Sequence, residues 1–159
     1  KDIFVIPEPL IKEEVMTIKG IDGQKMSKSY NNVIPLFLPE KKLRKVIMKI
    51  VTDSKTVEEP KDPETCNVFY YYKLFAKPEE IEDMAKRYRE GGIGYGDAKK
   101  TLFEIVNREL SEPRKRFNEL MDPKNDELEK LLKMGAEKAR PIAVDTIKKV
   151  RKVTGIERF

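Results

Sequence analysis

The chain has 159 residues, with 33 lysines and arginines against 28 acidic residues, one cysteine and no histidine, for a formal net charge of +5. The single Cys66 excludes an internal disulfide or a cysteine-built zinc cage. The missing histidine excludes serine–histidine and cysteine–histidine nucleophile systems and any histidine general base. No segment approaches the ~18 consecutive apolar residues of a membrane span, and the opening Lys1-Asp2-Ile3-Phe4-Val5-Ile6-Pro7 has no signal-peptide plan. A soluble chain is expected, for which a reducing compartment fits without being demanded, with its chemistry carried by lysines, carboxylates and backbone dipoles.

In chain order, residues 1–37 alternate short apolar runs (3–6, 15–18 and 33–37) with Pro7, Pro9, Gly20, Gly23 and Pro35, which predicts short strands and loops. Leu43, Val46, Ile47 and Ile50 then fall at i, i+3, i+4 and i+7 against lysines on the other face, predicting an amphipathic helix over 40–51. Residues 55–65, with Pro60 and Pro63 among charges, read as an exposed connector. Val68, Phe69, Tyr71, Tyr72, Leu74 and Phe75 predict an aromatic helix, built for core packing or for base stacking. Pro78 with Glu79 and Glu80 starts a further helix that Gly91-Gly92 stops.

After a turn at Gly94-Tyr95-Gly96, helical periodicity runs to Met121 with a kink or break expected at Pro113. A short helix is expected from Asp122-Pro123, and a last one opening at Gly135. On that last helix Ala139, Ala143, Ile147, Val150 and Val153 form an apolar stripe. Lys148, Arg151 and Lys152 lie opposite it, while Lys138, Arg140 and Lys149 flank it. The basic side is either a solvated face or a nucleic-acid contact. Net charge by block, +4 over 1–52, −4 over 53–98 and +5 over 99–159, suits two separate anion-facing surfaces. The expected fold is mainly α: the end of a Rossmann-type α/β catalytic domain over 1–38, then a helical domain over 39–159.

The densest chemistry lies at Lys25-Met26-Ser27-Lys28-Ser29, inside Asp22-Gly23-Gln24 and Tyr30-Asn31-Asn32. Two lysines and two hydroxyls on a short polar loop make a clamp for a triphosphate. Ammonium groups meet phosphate oxygens as point charges, serine hydroxyls and loop amides donate hydrogen bonds, and Gly23 lets the backbone swing or approach an anion closely. Asp22 is expected to set the turn or pair with a lysine.

Lys25-Met26-Ser27-Lys28-Ser29 reproduces the second signature of the class I aminoacyl-tRNA synthetases, and the whole chain resembles the tryptophanyl enzymes of bacterial type. The likeness extends to Phe4-Val5-Ile6-Pro7-Glu8-Pro9-Leu10-Ile11, Tyr30-Asn31-Asn32, Thr52-Asp53-Ser54, the stretch from Gly94 to Lys100 and Gly135-Ala136-Glu137-Lys138-Ala139-Arg140. The resemblance implies ATP-dependent activation of tryptophan and its transfer to tRNA by a cytoplasmic homodimer. Lys25 and Lys28 would be catalytic. Lys25, Met26, Ser27, Lys28 and Ser29 would bind ATP with its Mg2+, with no metal held by the protein itself. Lys138, Arg140, Lys148, Arg151 and Lys152 would bind tRNA. The family's first signature, His-x-Gly-His, has no counterpart, and the chain opens on Lys1 and not methionine. A portion of a longer ligase is therefore expected, inactive by itself. The alternative is a freestanding tRNA-binding helical module without catalysis, and a third is an interaction module whose basic faces only keep it soluble.

Overall fold

The computed structural model describes residues 3–12 and 15–156 of the chain. Among the described residues, five α-helices carry the fold: α1 (Glu40–Ile47), α2 (Asn67–Phe75), α3 (Pro78–Glu90), α4 (Tyr95–Leu120) and α5 (Glu127–Thr154). The mainly α class is the one expected. They are distributed over two compact units, one of Lys12–Phe117 and one that combines Lys1–Ile11 with Asn118–Phe159.

In the first unit, α1 buries Leu43 and Ile47 and closes at Met48, short of the expected end at 51. The following turn nevertheless returns Ile50 to the same core, with its N–H donated to the Ile47 carbonyl. Periodicity alone could not separate a last helical turn from a tight turn that buries the same side chain. The aromatic residues of α2 are core: Val68, Phe69, Tyr71 and Tyr72 are buried, and the Phe69 ring centroid lies 5.5 Å from that of Tyr88 on α3. Base stacking is thereby left without a surface on these four residues.

α3 begins as expected. Pro78 fills its first turn, where a missing N–H costs nothing, and Glu80 Oε2 accepts the Lys77 N–H at 2.7 Å. It ends at Gly91, whose φ of +82° suits glycine. A Cβ there would collide with the Glu58 carbonyl oxygen. α4 neither breaks nor ends at Pro113. A proline removes one backbone hydrogen bond, but Ala98, Leu102, Ile105 and Val106 anchor the preceding turns in the core.

Residues 55–65 are more than an exposed connector. Lys61 is 2% exposed, and its ammonium donates to the carbonyls of Thr56 at 2.5 Å, Glu59 at 2.9 Å and Val57 at 3.5 Å. It also stands 5.4 Å from the Tyr95 ring centroid. A buried charge is tolerable only when its donors are paired, and here three carbonyls and a ring face do so.

The strands expected within 1–37 do not form among the described residues, where pairing is limited to an isolated antiparallel bridge between Lys19 and Lys25. Val5 and Ile6 are exposed, and their apolar run takes no strand conformation. Ile21, Met26 and Ile34 instead pack directly against the helical core.

In the second unit, the helix expected from Asp122-Pro123 does not form. Asp122 closes a turn, with Oδ1 accepting the Lys124 N–H at 2.9 Å and its carbonyl accepting that of Asn125 at 2.9 Å. The last helix opens at Glu127 and runs through Gly135, because one glycine costs a helix only ~1 kcal/mol. None of its residues is buried. No helix among the described residues is long and apolar enough to cross a membrane.

Candidate phosphate-binding loop and basic helix

Residues 19–32 form a closed loop on the surface of the first unit. Its two arms meet at the Lys19–Lys25 bridge, where Met26 N–H donates to the Ile18 carbonyl at 2.8 Å and Gly20 N–H to that of Gln24 at 2.6 Å. At the tip, Gly23 has a φ of +82°, and a Cβ there would come within 2.7 Å of the Asn67 side chain. Asp22 sets this turn as expected: its Oδ1 accepts the Gln24 N–H at 3.0 Å. Its side-chain partner is Asn32, not a lysine. The Asn32 amide and then the Gln24 N–H hold the Asp22 carboxyl below the ordinary carboxylate range.

The signature residues occupy distinct stations. Lys25 and Lys28 are exposed, and neither ammonium has an ion-pair or hydrogen-bond partner among the described residues. Met26 turns its side chain onto the core and has already spent its N–H, so it anchors the loop. Ser27 starts a single 3-10 turn, Lys28–Tyr30, and its Oγ accepts the Ser29 N–H at 3.3 Å. Asn31 leaves that turn in the left-handed region, with a φ of +55°, a conformation that asparagine tolerates. The Ser27, Tyr30 and Asn31 amides all donate within the loop. These three amides are therefore not free to serve an anion, and the exposed ammonium groups and the serine hydroxyls are the side-chain donors of the loop.

Sequence reasoning missed the residues that hold this loop. Asn32 is 2% exposed and lies against Gly20. Tyr71 donates its hydroxyl to the Lys19 carbonyl, and Tyr70 donates to that of Thr17 at 3.2 Å. Asn67 donates to the Val51 carbonyl at 3.1 Å, and Val51 N–H donates to the Ile21 carbonyl at 2.8 Å. A polar asparagine at the end of a glycine-rich turn was the only sign in the sequence. Beneath the loop, Ile18, Met26, Ile34, Leu36, Tyr71 and Leu102 are among the residues lining an apolar hollow of about 320 Å3.

On α5, Lys138, Arg140, Lys148, Arg151 and Lys152 are all exposed, with no side-chain ion-pair partner among the described residues. Lys148, Arg151 and Lys152 follow i, i+3, i+4 and share one face. Arg140 stands about 12 Å earlier along the helix axis, at 1.5 Å per residue. It lines a shallow depression with Ala136, Ala139 and Ala143. The neighbouring Lys149 is instead neutralised by Asp145 at 2.7 Å. No cluster of three or more His, Cys, Asp or Glu side chains suited to a metal occurs among the described residues.

The sequence profile of the family described as tRNA synthetases class I (W and Y) matches residues 1–111. A tryptophan–tRNA ligase of Pseudomonas aeruginosa is 43% identical over 156 residues, which cover 98% of this chain and 34% of that protein. One of Campylobacter jejuni is 44% identical over 155 residues, covering 98% of this chain and 48% of the relative. The crystal structure of the Campylobacter jejuni tryptophanyl-tRNA synthetase complexed with ADP and tryptophan superposes with a TM-score of 0.83 at 44% identity, over 96% of this chain and 48% of that one. The chain thus spans between a third and a half of the length of these relatives. With a profile match across most of its length and the same fold at this identity, the chain belongs to the class I tRNA synthetases of the tryptophan and tyrosine type.

Proposed function

We propose that this chain supplies the phosphate-holding loop and the tRNA-facing helix of a tryptophan–tRNA ligase, which activates tryptophan with ATP and passes it to the 3′ end of tRNA. The observation that carries the reading is the pair of exposed, unpartnered ammonium groups of Lys25 and Lys28 on a loop whose backbone is already braced. In such a reaction negative charge builds on the departing pyrophosphate. Lys25 and Lys28 stabilise that charge electrostatically, and no proton transfer from the loop is needed. Ser27 and Ser29 donate hydroxyl hydrogens to phosphate oxygens, while Met26 keeps the loop seated. The Mg2+ that travels with ATP adds positive charge at the leaving group.

The division of labour follows the loop and the helices: 1–38 serves the nucleotide, and 39–159 serves tRNA. Lys148, Arg151 and Lys152, with Lys138 and Arg140, meet the RNA backbone, giving affinity without sequence readout. The intact ligase works as a homodimer in the cytoplasm. This chain alone does not activate tryptophan, since the histidine signature that engages the nucleotide from the opposite side has no counterpart in it.

Complementation tests the reading. The chain alone should give only background tryptophan-dependent pyrophosphate exchange, and mixing it with a separately made amino-terminal half should restore tRNA charging. Losing either lysine to alanine in that mixture should slow activation by about a hundredfold. Full-speed charging after Lys25→Ala and Lys28→Ala together would sink it. Salt-sensitive tRNA binding without any complementation would point to a freestanding RNA-binding module instead.

A further inference from the structure

One side chain at the foot of the loop makes all of its hydrogen bonds within it. Asn32 Nδ2 donates to Asp22 Oδ1 at 2.9 Å and Oδ2 at 3.1 Å, and to the Lys25 carbonyl at 3.1 Å. Its Oδ1 accepts the Ser27 N–H at 2.8 Å. The Asn32 backbone carbonyl adds a fifth tie, accepting the Ile21 N–H at 2.9 Å.

These contacts are not spread at random. The Lys25 carbonyl fixes the peptide that leaves the first lysine. The Ser27 amide fixes the residue that opens the turn carrying the second. Bracing the tip would have needed only Asp22 and Gln24. An amide that instead holds the backbone on both sides of Met26 fixes the main-chain stations from which the Lys25 and Lys28 stems depart, and so narrows the range of separations open to their ammonium groups. Pre-ordering of this kind raises affinity by removing an entropy cost from the binding step.

We infer that Asn32 is the positioning residue of the phosphate loop: without touching the ligand, it sets the stance of Lys25 and Lys28 toward an oligophosphate. This rests on the nucleotide reading given above. The chemistry requires an amide at this position. An aspartate would lose both donors and face the Asp22 carboxylate, while an alanine would leave the Asp22 side chain and the Lys25 carbonyl short of a donor. Gly20 completes the device, since a Cβ there would collide with Asn32 Nδ2 and push the amide out of place.

The test is binding of inorganic tripolyphosphate to this chain, followed by calorimetry and by the Lys28 amide resonance. Asn32→Ala and Gly20→Ala should each weaken binding by about tenfold, the scale of one lost hydrogen bond to a charged or buried group. If the alanine variant at 32 fails to fold, Asn32→Asp keeps the volume and the acceptor for Ser27 and should show the same loss. The decisive readout is a double-mutant cycle with Lys28→Ala. If Asn32 acts through the lysines, adding Asn32→Ala to Lys28→Ala should weaken binding by clearly less than the roughly tenfold it costs in the unaltered chain, the remainder being its effect through Lys25. Fully additive losses would reduce Asn32 to a structural support, and unchanged binding in Asn32→Ala or Asn32→Asp would dismiss it outright. Absence of tripolyphosphate binding by the unaltered chain would instead remove the nucleotide reading, and this inference with it.

Discussion

Tyr71, halfway along α2, donates its hydroxyl hydrogen to the Lys19 carbonyl and so fastens the helical core to the arm that enters the 19–32 loop. Tyr70 brackets the same arm, donating to the Thr17 carbonyl at 3.2 Å and accepting the Lys19 N–H at 3.4 Å. Burial pushes the Tyr71 phenol above its ordinary value, so the donor keeps its proton at any pH where the protein is handled. Tyr71→Phe should lower unfolding free energy by about 1–2 kcal/mol, the cost of an unpaired carbonyl beside the core. Urea denaturation measures that, and amide exchange at Gly20 and Met26, whose hydrogen bonds close the arms, should quicken in the same variant.

Lys61 should be intolerant of an isosteric apolar replacement. Lys61→Met keeps most of the volume but leaves the carbonyls of Thr56 and Glu59 without their donor. A loss of about 2–3 kcal/mol is expected from hydrogen bonds to a charged group. The denaturation midpoint reads the loss, and limited proteolysis should place new cuts within 52–60.

Glu80 ties three points together. It accepts the Lys77 N–H and takes both Arg108 Nη1 at 2.7 Å and Nη2 at 3.1 Å. The Arg108 bonds first, and then the Lys77 amide, bring its carboxyl from the ordinary 4.5 down to about 2. A carboxyl depressed in the folded state stabilises fully above its unfolded value and loses that contribution as pH falls through the folded one. Wild type should therefore lose thermal stability between about pH 4.5 and 2 by an amount that Glu80→Gln does not. The gap between the two melting curves should close as the pH is lowered across that window.

Binding of tRNA should be read through its salt dependence. Replacing Lys148, Arg151 and Lys152 by glutamine should flatten the slope of log K against log salt by roughly 0.7–0.9 for each phosphate no longer neutralised. Lys149→Gln serves as the control, because its charge is already taken by Asp145, and should change the slope least. Equal effects from all four would assign the slope to net charge alone.

What the sequence made legible tracks how local the physics is. Pro78 and Glu80 declare the start of α3 within four residues, and the structure keeps that start. The signature loop was legible because its chemistry is written consecutively from Lys25 to Ser29. The apolar runs within 1–37 were misread as strands because a strand exists only through its partner, and no alternation pattern says whether one is at hand. Gly135 and Pro113 looked like punctuation, yet each helix runs on through its residue, at a cost of about 1 kcal/mol for the glycine and one lost backbone hydrogen bond for the proline. Asn32 and Lys61 stayed hidden for another reason. Polar residues are expected outside, and only the folded chain reveals a polar group that has been buried together with its partners.

A helix of 28 residues without a single enclosed side chain has consequences for how the protein responds to warming. α5 draws part of its cohesion from its own backbone and from ladder pairs such as Lys130 with Asp126 and Lys149 with Asp145. Each such exposed pair contributes only a few tenths of a kcal/mol. The last segment should unwind well below the temperature that melts the block of α1 to α3. An RNA laid along its cationic edge would then act as a splint, firming the helix in the act of being held.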